Sequence, residues 1–220
     1  MPTVAPEQEL SAASLNTALD ELCATGADFH RRGWSLGTSS NYSVVASREP
    51  LELMVTISGK DKGRLTRDDF VRVGADGAPV DPGAAKSSAE TMLHVVLAQQ
   101  PGVGAVLHTH SVAVTVLTRL LKDRDELRLE GYEMLKGLSG HTTHQSVEHT
   151  PIFENTQDIP ALAEQVRRRL ADPERPLRHG FLIRGHGLYA WGQDIAEARR
   201  HIEVFEFLLE CELRARQINL

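Results

Sequence analysis

Residues 101–111 read Pro101-Gly102-Val103-Gly104-Ala105-Val106-Leu107-His108-Thr109-His110-Ser111. Pro101 and Gly102 break the preceding pattern, and Val103 to Leu107 is a continuous apolar run closed by two histidines. An apolar run this short, bounded by breakers, predicts a buried strand over Val103–Thr109. Side chains two apart on a strand share a face. His108 and His110 therefore offer two imidazoles to one point, where a buried strand surfaces. Neutral imidazole is a zinc ligand, and a catalytic zinc site takes three protein ligands with a fourth position open. Two hydrogen-bonded histidines at a strand end would look the same, so a third ligand has to be found.

His186 follows the apolar residues Phe181 to Ile183 and stands between Gly185 and Gly187. Glycines let backbone turn tightly and approach a ligand closely, although a plain turn histidine has the same setting. His141, His144 and His149 read as a solvated loop. His94 has helical neighbours, His179 precedes a strand, and neither has a partner at ligand spacing.

Outward from this centre, Leu15, Leu19, Leu22 and Phe29 fall at helical spacing and Gly33 suits the helix end. Gly37 to Asn41 reads as a loop, Leu51–Ile57 as a strand, Ser58–Gly63 as a polar loop and 74–86 as turns. A helix is expected from Ser87 or Ser88 to Gln100, and others over 111–122 and 160–171. The stretch 123–157 is less regular, with a helical turn at Tyr132–Leu138. Gly180–Arg184 and Leu188–Trp191 are strands. Asp194 and Glu197 open a last helix on the stripe Ile195, Ala198, Ile202, Phe205 and Leu209. Short strands between helices, without repeat or linker, predict a loose leader over 1–13 and one α/β layer domain over 14–220.

The bulk numbers agree. A chain of 220 residues, 41% hydrophobic and 25% charged, builds one ordinary core. A formal net charge of −6 argues against a large nucleic-acid footprint. Cys23 and Cys211 have no paired spacing, as expected in a reducing, cytoplasmic compartment. No basic apolar leader or stretch of ~18 apolar residues points to secretion or a membrane. GxGxxG and Walker patterns are absent.

Two carboxylates and two loops complete the candidates. Ser87-x-x-Glu90 reads as a capping box, while a carboxylate beside a metal would serve as acid or base. Glu133, three residues from both Glu130 and Lys136, reads as helix-surface charge. The loops Gly37–Ser43 and Ser58-Gly59-Lys60 offer hydroxyls, backbone amides and a cation suited to phosphate.

In order along the chain, Thr38-Ser39-Ser40-Asn41-Tyr42-Ser43, Ser58-Gly59, Lys86-Ser87-Ser88-Ala89-Glu90, His108-Thr109-His110 and Gly185-His186-Gly187 resemble the class II aldolase/adducin family from about residue 15 to 216. The resemblance implies a three-layer α/β/α sandwich around a mainly antiparallel sheet. It implies one Zn2+ per subunit on His108, His110 and His186. It also implies phosphate contacts at Ser39, Asn41, Ser58, Gly59, Ser87 and Ser88, and a homo-oligomer, tetramer favoured, with sites near subunit interfaces. Ser40 departs from the family, where many members have glycine. The segments 58–63, 133–137, 151–159 and 185–192 are most similar to members that dehydrate a ketose phosphate. In those members the glutamate of the second segment's counterpart, here Glu133, is the acid/base, which sets Glu133 ahead of Glu90. A sugar-phosphate aldolase or 4-epimerase is the nearer rival, and a non-catalytic adducin-like interaction module the more distant one.

Overall fold

The run predicted as a strand is β4 (Ala105–Thr109), fully buried at the middle of a sheet. The computed structural model describes residues 9–218. Its elements are α1 (Ala12–Arg31), β1 (Asn41–Arg48), β2 (Leu51–Thr56), β3 (Phe70–Gly74), α2 (Thr91–Ala98), β4, α3 (Val112–Leu120), β5 (Glu126–Glu130), β6 (Val147–Phe153), α4 (Ile159–Leu170), β7 (Gly180–Ile183), β8 (Gly187–Gly192) and α5 (Ile195–Gln217). Eight strands pair in the order β3-β2-β1-β4-β8-β7-β6-β5. Every neighbour pair is antiparallel except β6 with β7, where Ile152 faces Leu182 and Phe153 faces Ile183.

Alternation along the strands sorts side chains to two faces. Tyr42, Leu107, Leu188 and Ala190 pack with α1, α3 and α5. Val106, Phe181, Tyr189 and Trp191 pack with α2 and α4. The result is the three-layer α/β/α sandwich expected, with the mainly antiparallel sheet in the middle. Among the described residues no helix is long and apolar enough to cross a membrane.

Several elements depart from expectation. Strand β1 takes in residues that read as loop because Asn41, Ser43 and Ser47 are polar, yet all three are buried and their alternate neighbours fill the core. Strand β5 carries Leu127 and Leu129 inward, alternating with the charged Glu126, Arg128 and Glu130, a period-two pattern hidden in a stretch that reads as irregular. The leader expectation covers residues 1–8, which lie outside the described residues, and 9–13, which are docked. Glu9 bridges Ser47, the Leu10 N–H reaches the Ala46 carbonyl at 2.9 Å, and Ser11 caps α1.

Candidate metal centre and cleft

His108 on β4 and His110, one residue past its end, both reach the face covered by α2. The fully buried His108 donates Nδ1–H to the Leu188 carbonyl on β8 at 2.9 Å, and its ring stacks on Tyr189 with centroids 4.0 Å apart. The bond leaves Nε2 as a lone pair. The chain turns away immediately after His110, because Ser111 caps α3 by accepting the Val114 N–H at 3.1 Å. His110 Nε2 then lies 2.7 Å from His108 Nε2.

The third imidazole comes from the turn joining β7 to β8. Gly185 has φ +63°, a region that favours glycine. His186 donates Nδ1–H to the Asn155 side-chain oxygen at 3.1 Å. At Gly187 a Cβ would meet the Thr109 carbonyl at 2.3 Å and His108 Cε1 at 2.6 Å, so only glycine lets the turn approach the ligand strand this closely.

Glu90 closes the group. Its Oε2 is 3.4 Å from His108 Nε2 and its Oε1 is 3.6 Å from His186 Nε2. The Asn41 amide donates to Oε2 at 2.9 Å. Asn41 is itself held through its side-chain oxygen by His94 Nε2, and His94 Nδ1 pairs with the Ser43 hydroxyl at 2.7 Å. Glu90 Oε1 is buried with no hydrogen-bond partner. Burial pushes His108 well below the usual histidine range and, with the neighbouring His186 and Lys62, brings His110 down to about 4. Both imidazoles are then neutral near pH 7, as metal ligands must be. One ligand atom from each of Glu90, His108, His110 and His186 lies within 4.8 Å of the others. Converging imidazoles, two of them fixed from behind, and an orphaned carboxylate oxygen fit a divalent ion of the zinc type.

A cleft of about 430 Å³ opens over this group. Ser39, Asn41, Ser58, Gly59 and Ser88, five of the residues named from the sequence, line it together with Thr156 and Gln157. Ser87 does not line it, because the residue is buried and its backbone bridges Ile57. That bridge delays the helix, so α2 begins at Thr91 and the capping box expected at Ser87 and Glu90 does not form. Glu90 is itself the N-cap and makes no side-chain cap bond, which leaves its carboxylate free to face the histidines. Ser40 adopts φ +71°, which explains why glycine suits that position.

The cation expected at Lys60 is paired with Asp69 at 2.8 Å, and the buried lysine that lines the cleft is Lys62. Burial brings Lys62 down to about 8 against the opposing charges of Asp61 and Asp69. Glu133 is not brought into the cleft of its own chain. It lies in a 3-10 turn (Glu133–Gly137) after the edge strand β5, four places from β4 in the sheet. Its side chain is 68% exposed and pairs with Lys136 and His144. Sequence reasoning missed Asn155, His94 and Tyr189. Only spatial proximity reveals the first two, while Tyr189 sits at a predictable inward position of β8.

The description "Class II Aldolase and Adducin N-terminal domain" matches residues 20–213. A protein named methylthioribulose-1-phosphate dehydratase from Marinobacter nauticus is 48% identical over 205 residues, covering 92% of this chain and 96% of its own. One of the same name from Pseudomonas fluorescens is 48% identical over 199 residues, covering 90% and 93%. Among solved structures, an L-fuculose 1-phosphate aldolase matches with TM-score 0.75 at 22% identity, covering 97% of this chain and 91% of its own. The L-fuculose-1-phosphate aldolase of Thermus thermophilus matches with TM-score 0.71 at 22% identity, covering 92% and 97%. At that identity the likeness to these structures establishes the shared fold alone.

Proposed function

Because the chain belongs to the class II aldolase and adducin family, we propose that it is a metal-dependent hydro-lyase of methionine salvage. It removes water from 5-methylthioribulose 1-phosphate to give the 2,3-diketo product. The observation that carries this reading is near-full-length identity of 48% to dehydratases of that name. The intact ligand group speaks against a non-catalytic adducin-like module. The aldolase and epimerase reading has support from fold likeness only.

A divalent ion on His108, His110 and His186, for which zinc is the natural choice, supplies the Lewis acidity that makes the proton on carbon 3 removable. Glu90 takes that proton on the oxygen that no hydrogen bond occupies, while Asn41 holds the other. The electron pair of the broken C–H bond forms a C3–C4 double bond. The carbon-4 hydroxyl departs with a proton as water, and the enol ketonises. Ser39, Ser58, Gly59, Ser88 and Lys62 hold the phosphate.

Glu133, the first acid/base candidate from sequence, serves from a neighbouring copy in a homo-oligomer, tetramer favoured, by supplying the leaving-group proton. The apolar side chains of Val112, Val116 and Leu120 support assembly, since they stand exposed four residues apart along α3. The free cysteines Cys23 and Cys211 accord with a cytoplasmic setting.

The metal-loaded protein should convert 5-methylthioribulose 1-phosphate to a diketone. Aldehyde release or epimer formation from ketose 1-phosphates, with no diketone, would overturn the reading. For Glu133, co-assembled His186→Ala and Glu133→Gln chains should regain turnover that neither parent has. No regain would remove Glu133 from the reaction.

A further inference from the structure

A second group of metal-type ligands lies at the other end of the sheet, on residues that the proposed reaction does not use. His141 is largely buried rather than solvated. Its Nε2 is 2.8 Å from Glu148 Oε2, and His179 Nδ1 is 3.0 Å from Glu148 Oε1. One ligand atom from each of the three residues lies within 4.8 Å of the others. Glu148 projects from β6, His179 immediately precedes β7, and His141 lies in the loop after the 3-10 turn. His179 Nε2–H donates to the Ser139 carbonyl at 2.7 Å, so Nδ1 is the nitrogen left for a ligand. Ser139 is fixed in turn, because its N–H donates to His201 Nε2 at 3.3 Å while His201 Nδ1–H donates to the Trp191 carbonyl at 2.7 Å.

The pattern repeats the physics of His108, whose far ring nitrogen is also spent on a backbone carbonyl and whose near nitrogen faces a carboxylate. Metal-binding histidines are commonly oriented in this way. His179 Nδ1 and His141 Nε2 thus converge on the two oxygens of one carboxylate. Two imidazoles and a carboxylate on one point are a zinc-type donor set. The partly exposed His141 gives an ion a way in.

We propose that His141, Glu148 and His179 form a second divalent-metal site, structural in role, that ties the loop after the 3-10 turn to β6 and to the start of β7. The test is metal content of the full-length protein, stripped with chelator and dialysed against Zn2+, with Co2+ absorption as a second readout. Two ions per wild-type chain are expected, falling to one in His141→Gln, one in His186→Ala and none in the double variant. His141→Gln is the primary variant because its partly exposed position tolerates change, and circular dichroism checks that it folds. One ion per wild-type chain that disappears in His186→Ala would overturn the proposal. So would a second ion that survives in both His141→Gln and Glu148→Gln.

Discussion

Strand β4 carries a carboxylate against each of its faces, and the two have opposite fates. On the α2 face Glu90 meets His108 and His186, is held by Asn41, and looks into the cleft. On the α5 face Glu206 accepts the Thr109 hydroxyl at 2.8 Å. Each keeps one buried oxygen without a partner. Burial raises Glu206 to about 7 despite hydrogen bonds from Ser111 and Thr109. Histidines converge on Glu90 and none do on Glu206, although each carboxylate lines a cavity. Without such partners, the burial of Glu206 is a stored desolvation cost.

Breaking the Glu90 face at its metal should have the largest effect. His186→Ala should lose the ion at that face and bring turnover to background together, read by metal analysis and by diketone formation. Full occupancy at that face in the variant would move the third-ligand role elsewhere. Glu90→Gln keeps the size but not the base. Its turnover should fall ~10²- to 10⁴-fold with metal retained, within the range for acid–base catalysis. An unchanged rate at matched metal content would dissolve the contrast between the two carboxylates.

Asn41 sharpens the comparison. As a phosphate contact alone, Asn41→Ala would raise KM; as the group that holds Glu90, it should lower kcat by ~10- to 100-fold, the worth of a hydrogen bond to a charged group. Steady-state kinetics separate the two. On the other face, Glu206→Gln should leave KM and metal content unchanged and alter stability instead. The folded value of about 7 lies above the ordinary 4.5. The stabilising contribution is thus full below pH 4.5 and lost as pH rises through 7. Denaturant unfolding at pH 5 and pH 8 should show wild type losing about 1–3 kcal/mol more than the variant over that range. Equal pH dependence in both proteins would mean that Glu206 is not the group responsible.

How much of this is legible in the sequence depends on the range of the interaction. The spacing of His108 and His110 follows from strand alternation, and Gly185-His186-Gly187 announces a turn, so the ligand candidates can be read locally. Glu90 is visible as a residue but reads as part of a cap, because the Ser87–Ile57 bridge that postpones the helix joins segments far apart in the chain. His94 and Asn155 look ordinary in sequence and matter only through partners that the sheet brings to them. Strand β1 is hidden for the same reason, since its polar side chains are satisfied by α2 across the layer.

The lone parallel pairing, β6 beside β7, has a consequence for how this architecture divides its labour. Parallel neighbours leave the sheet at the same end, so the loop that follows β6 and the turn that follows β7 emerge side by side. The first carries Asn155, Thr156 and Gln157 to the cleft; the second carries His186. The two segments are stitched together where they emerge, by the Arg184 N–H on the Phe153 carbonyl at 2.9 Å, the Arg184 guanidinium on Glu154 at 2.7 Å and His186 on Asn155 at 3.1 Å. The lining that Thr156 and Gln157 give the cleft and the position of His186 therefore come from one end of the sheet while resting on different connections.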